Sequence, residues 1–463
     1  MSLRDYIPDS GEWQNASLRD VAQAVPFSAL SQGTVLSGQA HELAGKSVLL
    51  ATKDQLKSAL ALIELDGRAA RLVICLPDVQ SDRLDSVIHD ARVEAVVSDE
   101  ASSHLDGKLT RYLCSPLVQC PPSEAIEPRS TEWVMLTSGT TGKPKLVAHT
   151  LEGLLGGIFH DGKPIAVPKD SIVWGTFYDI RRYGGLQIFL RALTGGSTLV
   201  LSHAAEPLAD YVARCREAGV THMSGTPSHW RRLLMSPHAG ALSLKYVRLS
   251  GEIADRAILD ALRSTYPNAI VTHAYASTEA GVAFDVTDGQ EGFPASFVHA
   301  PGEVELRVED GSLRIRSPRT AKSYVGRDDL QLFDQEGFID TDDMVERFGD
   351  RFLFRGRKAG IINIGGLKVH PEEVEKIINQ HPAVRMSLVK GRSNPILGSL
   401  IVANVVLLEG LTESLTDERR NSLRDELLAL CRDRLDSYKI PAMINFVASL
   451  DLAASGKIGR RAQ

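Results

Sequence analysis

From about Lys46 to Val97, apolar runs and stretches of helical period take turns along the chain. The runs SVLLAT, RLVICL and EAVVSD read as strands, and KDQLKSALALIEL and QSDRLDSVIHDA read as helices. The same alternation returns between Thr131 and Tyr275. There SIVWGTF, STLVLS, THMSGT, YVRLSG and IVTHAYA are apolar runs, several of them separated by helical patterns. Alternation of this kind predicts mostly parallel sheets covered by helices. At Gly302–Ser317 the period drops to two on either side of Asp310-Gly311, which predicts a hairpin.

Beyond Arg357 a smaller unit begins. GIINIGGLKVH predicts two short strands, and HPEEVEKIINQH a helix with Pro371 in its first turn and Glu372 and Glu373 near its positive end. RMSLVKG, SLIVANVVLL and MINFVASL read as strands. Residues 416–439 read as an amphipathic helix with Leu423, Leu427, Leu430 and Leu435 on or near one face. The boundaries fall at 1–356 for a large α/β domain and 357–463 for a small α+β domain, as a chain of 463 residues requires more than one core.

Composition narrows the class. With 43% hydrophobic and 24% charged residues, the chain is that of a globular protein. A formal net charge of −6 argues against a general nucleic-acid binder. Cys75, Cys114, Cys120, Cys215 and Cys431 form no C-x-x-C pair, so a reducing compartment and buried, unbridged thiols are expected. No apolar run approaches the roughly 18 residues of a membrane span, and MSLRDYIPDSGEW has no secretory character. These features together predict a cytoplasmic enzyme.

The densest chemistry follows the short strand TEWVM. In LTSGTTGKPK, Gly139 and Gly142 free the backbone to aim N–H groups at one point. Thr137, Ser138, Thr140 and Thr141 add hydroxyls, and Lys143 and Lys145 add charge. A polyphosphate suits such a loop. It is not a Walker-type loop, because the glycine spacing is too short and Pro144 follows Lys143 where that motif has Ser or Thr.

Four further segments occur in order: YASTEAG at Tyr275–Gly281, DTDDMVE at Asp340–Glu346, FRGRKAGIINIGGLKVHPEEVE at Phe354–Glu375 and ASGKIGRR at Ala454–Arg461. With TSGTTGKPK they resemble the motifs of the adenylate-forming superfamily: acyl- and aryl-CoA synthetases, peptide-synthetase adenylation domains and beetle luciferases. The resemblance runs from about Lys46 to Arg461. It implies a large domain of mostly parallel, helix-covered sheets with a small distorted barrel-like region, followed by a small mobile α+β domain. It also implies the chemistry. A carboxylic acid, fatty or aryl, attacks the α-phosphorus of ATP, pyrophosphate leaves, and a thiol captures the acyl group of the acyl-AMP. Coenzyme A is the expected thiol, and the phosphopantetheine of an acyl carrier protein is the alternative. A non-catalytic nucleotide-binding relative is the rival class, opposed by the presence of Lys145, Glu279, Asp343 and Lys457.

By the same resemblance, Thr137 to Gly142 and Lys145 cradle the β- and γ-phosphates, Thr278 touches the α-phosphate, and Glu279 carries Mg2+, a hard cation that wants carboxylate oxygen. Tyr275 lies against adenine, with Gly251, Glu252 and Ile253 as the other wall. Asp343 accepts from the ribose hydroxyls and Arg357 supports that side. Lys457 stabilises the adenylation transition state, and Gly365-Gly366 lets a pantetheine arm approach. The sequence departs from the pattern at Leu146, Ala276 and Asp342, each in place of a glycine. Ala359 and Gly360 stand where an Asp or Lys hinge residue is usual. The opening helix and strand before the first layer are reduced or missing. The segment WGTFYDIRRYGGLQIFL lacks the His that many relatives place beside the acid. A polar acid pocket of Asp179, Arg181, Arg182, Tyr183 and Ala276, with one Arg near a carboxylate, is the functional expectation there. A solvated loop is the alternative.

Overall fold

A computed structural model describes residues 1–7, 13, 15–31, 33–100, 109–119, 129–137, 144–160, 163–164, 172–327, 329–364, 367–394, 398–408 and 416–450. The runs of Val, Leu and Ile that read as strands are strands, and they are buried on both faces as parallel strands must be. One sheet is ordered Ser323–Tyr324, Lys145–Thr150, Glu132–Thr137, Arg71–Ile74, Ser47–Ala51, Ala95–Ser98 and Thr110–Leu113. It is parallel from Glu132–Thr137 onward and antiparallel at the other edge. The helix Gln55–Leu65 is buried along nearly its whole length, and Asp54 caps it by accepting from the Lys57 N–H at 2.8 Å.

The second sheet runs Gly281–Val286, Ile270–Ser277, Tyr246–Ser250, His222–Gly225, Val173–Thr176, Thr198–Leu201, Ser17–Arg19 and Ala24–Pro26. Its last two strands come from the N-terminus. Ser17–Arg19 lies parallel to Thr198–Leu201, and Ala24–Pro26 folds back against it. Among the described residues no α-helix precedes Gln55. The first residues are tied down by buried carboxylates instead. Asp66 accepts from the Leu3 N–H at 2.8 Å and from Trp133 Nε1 at 2.9 Å, and Glu64 accepts from Thr34 and from the Val35 N–H.

A five-stranded antiparallel sheet follows: Phe293–Pro294, Arg351–Arg357, Ile339–Phe348, Ser312–Arg316 and Glu305–Glu309. The expected hairpin is at its edge, with Asp310 at φ 50° and Gly311 at φ 76°, the left-handed pair that a two-residue turn needs. After the exposed turn Lys358–Gly360, the small unit packs Pro371–Ile378 and Asp417–Arg434 on the sheet Val384–Asn394, Gly398–Leu407 and Met443–Phe446. The buried stripe of the long helix is Leu423, Leu427 and Cys431, spaced by four; Leu430 and Leu435 are only half-buried. Cys75, Cys114, Cys215 and Cys431 are buried free thiols, and Cys120 lies outside the described residues. No helix among the described residues is long and apolar enough to cross a membrane.

Candidate active site

The strand Ile270–Ser277 carries the centre of the site. Side chains alternate across a strand, and a register shift at Tyr275/Ala276 sharpens the change of direction. Tyr275 stacks on Phe354 (5.3 Å between centroids) and on Phe284 (5.6 Å), and its hydroxyl donates to Asp343 Oδ2 at 2.5 Å. The next residue, Ala276, lines a cleft on the other side.

Asp343 and Arg357 face each other across the antiparallel pair Ile339–Phe348 and Arg351–Arg357, and Arg357 Nε donates to Asp343 Oδ1 at 3.1 Å. Three residues far apart in sequence thus form one chain: Tyr275, Asp343, Arg357. Burial acts against the Arg357 charge, but Asp343 beside it holds its pKa above the ordinary value. Asp342 adopts φ 57°, so this Asp takes up the left-handed backbone that a glycine would have supplied.

Lys145 and Thr137 are directly opposed in the antiparallel pair that leads into and out of the Gly-rich loop. The Lys145 ammonium lies 5.2 Å from the centroid of the Tyr324 ring. Burial pushes the Tyr324 phenol up to about 12, with Glu279 and Asp342 adding to the shift. The Glu279 carboxylate has no hydrogen-bond or ion-pair partner among the described residues. A carboxylate without a partner suits Mg2+, which takes one or two carboxylates and completes its shell with other oxygens. Ser138, Gly139, Thr140, Thr141, Gly142, Gly365, Gly366 and Lys457 lie outside the described residues.

Gly251 turns the chain with φ 86° after Tyr246–Ser250. Glu252 then accepts from the Ser228 N–H at 2.9 Å, at the start of the helix Pro227–Leu234, where a carboxylate is favoured by the helix dipole. Ile253 is half-buried beside it. Ala359 lies exposed and Gly360 half-buried in the turn that joins the two units.

The expected acid pocket divides. Tyr183 and Ala276 line the cleft; Asp179, Arg181 and Arg182 are absent from its lining. Arg181 is only 3% exposed and grips Asp179 with Nε and Nη2 at 2.8 and 2.5 Å. Its Nη1 donates to the carbonyls of Thr52 and Lys53. This guanidinium ties the first sheet to the second. Arg182 pairs with Asp78 at 2.8 Å on the surface. Neither Arg of the expected pocket lines the cleft: in the turn before the helix Tyr183–Thr194, Arg181 spends its donors inside the chain, and Arg182 turns to Asp78 with its Nε left buried and without a partner among the described residues. Gly185 allows the tuck, because a Cβ there would lie 2.1 Å from the Asp179 carbonyl.

The cleft is narrow, with a cavity volume of about 20 Å3. Tyr178, Gln187, Arg191 and Arg248 line it, and none of them was expected from sequence. A signal existed. YGGLQIFLRALT is an apolar helix broken by Tyr183, Gln187 and Arg191 at intervals of four, and YVRLS is a buried strand with an arginine in the middle. The His149 ring lies tilted against that of Tyr183, 5.7 Å between centroids. Both its ring nitrogens are buried without a hydrogen bond, and burial lowers its pKa to about 4 against a weaker opposing pull from the Thr278 backbone.

Models of known families match the chain twice: "AMP-binding enzyme" over residues 42–325 and "AMP-binding enzyme C-terminal domain" over 373–457. The chain belongs to the AMP-binding enzyme family. The 2-succinylbenzoate–CoA ligase of Bacillus velezensis is 26% identical over 435 residues, 90% of this chain and 82% of that one. That of Geobacillus kaustophilus is 25% identical over 445 residues, 91% of this chain and 88% of that one. Among solved structures, an anthranilate CoA ligase in complex with anthranoyl-AMP superposes with a TM-score of 0.81 at 19% identity, over 99% of this chain and 95% of that chain. ATP-bound MatB from Rhodopseudomonas palustris gives 0.78 at 19%, over 99% and 97%. These likenesses bear out the expected adenylate-forming fold. This AMP-binding enzyme is an AMP-forming acid–thiol ligase of the acyl-CoA synthetase class, and ATP, Mg2+ and coenzyme A go with that class.

Proposed function

We propose that this AMP-binding enzyme activates a compact carboxylic acid, an aryl acid before a fatty acid, as its acyl-AMP and passes the acyl group to coenzyme A. The observation that carries the reading is the strand Ile270–Ser277. Its consecutive residues Tyr275 and Ala276 belong to the Asp343–Arg357 cluster on one side and to the cleft on the other. An acid in the cleft and a nucleotide at the cluster would meet at Thr278. A narrow cleft lined by Tyr178 and Tyr183 suits a flat ring better than a long alkyl chain. Free coenzyme A is preferred over a carrier protein because the curated relatives are CoA ligases.

In this reading Asp343 accepts from the ribose, and Arg357 and Tyr275 hold its carboxylate in place. Lys145, at the base of the loop formed by Thr137 to Gly142, neutralises phosphate charge as pyrophosphate departs. Thr278 contacts the α-phosphate. Glu279 would hold Mg2+, which supplies charge neutralisation on the phosphates. Lys457 serves adenylation, Ala359 and Gly360 form the hinge between half-reactions, and Gly365-Gly366 borders the pantetheine path. Cytoplasmic location remains part of this proposal.

ATP–pyrophosphate exchange over a panel of aryl and alkyl acids, followed by detection of the CoA thioester, tests the reading. Exchange with an aryl acid and thioester formation with free coenzyme A are expected. Exchange with no acid, or transfer only to a carrier protein, would overturn the corresponding half. Glu279→Gln keeps the shape but removes the anionic ligand, so exchange should fall and added Mg2+ should restore part of it. An unchanged Mg2+ dependence removes Glu279 from the metal site.

A further inference from the structure

Lys145 opens the strand Lys145–Thr150 that leaves the Gly-rich loop, and its ammonium has no carboxylate partner among the described residues. Its neighbour is a ring. Ser323–Tyr324 pairs antiparallel with that strand on the side away from Glu132–Thr137, with Tyr324 opposite Val147. Side chains two apart on a strand share a face, so Tyr324 and Lys145 form a diagonal cross-strand pair, within reach for an aromatic and a long side chain. The Lys145 ammonium accordingly lies 5.2 Å from the centroid of the Tyr324 ring.

Three backbone hydrogen bonds place that ring. The Ala321 N–H donates to the Glu279 carbonyl at 2.8 Å, the Lys322 N–H to the Ala148 carbonyl at 2.7 Å, and the Val325 N–H to the Leu146 carbonyl at 2.9 Å. One short stretch of chain is thus pinned both to Glu279 and to the strand of Lys145. Tyr324 is half-buried, and burial pushes its phenol up to about 12, so it is neutral at neutral pH. A carboxylate at this place would cancel the charge that Lys145 carries. The face of an aromatic ring attracts an ammonium through its quadrupole and leaves that charge intact. It also restrains a flexible four-carbon stem. Glu279 and Asp342, two acids that could capture the ammonium, act on the same phenol. The ring gives Lys145 a position that neither acid neutralises.

We propose that Tyr324 is a positioning residue for adenylation: its ring face holds the Lys145 ammonium at the base of the Gly-rich loop, ready for the β- and γ-phosphates of ATP. It acts through Lys145, and its hydroxyl is not required. This rests on the acid–CoA ligase reading, in which Lys145 neutralises phosphate charge.

The test needs no acid substrate. Binding of the methylene analogue of ATP, blocked between its α- and β-phosphorus atoms, is compared with binding of AMP by calorimetry on the full-length enzyme with Mg2+. Tyr324→Leu should weaken the triphosphate analogue by about three- to tenfold, the range of one cation–π contact, and leave AMP unmoved. Tyr324→Phe should keep wild-type binding. Increasingly fluorinated phenylalanines at 324, which drain the ring face with little change of shape, should weaken the analogue step by step. In a Lys145→Ala background, Tyr324→Leu should add nothing. A Phe variant as weak as the Leu variant, a fluorine series without a slope, or AMP binding that falls in parallel overturns the proposal and leaves the ligase reading standing. If the wild type binds neither nucleotide, both fall together. Should Tyr324→Leu not fold, Tyr324→Phe and the fluorine series still decide.

Discussion

Arg181 and Arg191 stand at the two ends of one structural feature, the turn and helix that wall the cleft, and they have opposite fates. Arg181 is the more deeply buried, yet its donors are used up by Asp179 and the Thr52 and Lys53 carbonyls. Arg191 has one backbone acceptor and faces the cleft beside a second arginine. Burial alone does not mark a functional charge. A buried polar group in a folded chain is ordinarily satisfied by that chain, so the informative residue is the one whose partners are missing. Arg181 is a fastening between two sheets; Arg191 lines the cleft with no ion pair among the described residues.

The comparison breaks most easily at Arg181. Arg181→Ala leaves Asp179 as a nearly buried, unpaired carboxylate, and about 3–5 kcal/mol of stability should be lost. Thermal unfolding should shift down by many degrees while the acid KM of the folded fraction stays the same. The double variant Arg181→Met, Asp179→Asn should be milder than the single one, because no charge is left stranded. A raised acid KM with unchanged unfolding would instead put Arg181 in the acid's site.

Asp66 offers the acidic counterpart: a buried carboxylate with two donors, Leu3 N and Trp133 Nε1, and no side-chain cation. Burial raises its pKa from 3.8 to about 6, although both hydrogen bonds pull the other way. Because the folded-state value lies above the unfolded one, the folded chain holds the proton longer. Its contribution to stability is fully present below pH 4 and is lost as pH rises through 6, by roughly 2–3 kcal/mol. Asp66→Asn should flatten that part of the unfolding profile between pH 4 and 6. A slope that persists in the variant assigns the effect to another group.

The smallest effect is expected at Arg182. Its pair with Asp78 lies at the surface, with the Asp side chain 48% exposed. Arg182→Ala should cost less than about 1 kcal/mol and fade with added salt. An effect the size of that at Arg181 would mean that the two arginines share one network.

Much of this contrast was hidden in a run of adjacent charges. Asp179, Arg181 and Arg182 look like a pocket because they cluster in the chain. Their partners are distant: Thr52 and Lys53 come from the first sheet and Asp78 from the loop after another of its strands. No local pattern encodes such a meeting. The N-terminus gave the same difficulty. Ser17–Arg19 is too short for a periodic signal, and it becomes a strand because Thr198–Leu201 offers it an edge.

Local periodicity did determine the layers. Strands of Val, Leu and Ile buried on both faces, helices with one apolar stripe and the turn at Asp310-Gly311 follow from side-chain direction and backbone sterics, which act between near neighbours. The motif residues Tyr275, Asp343 and Arg357 were also legible, each inside its own short segment. What tertiary structure alone decided was which polar atoms were already paired. Asp343 and Arg357 meet through strand register, Arg248 finds Asp285 across the sheet edge, and Gln187 and Arg191 are left facing the cleft. Hydrogen bonds and charges act over a few ångströms of space and not along the chain, so their balance exists only once the sheets have stacked.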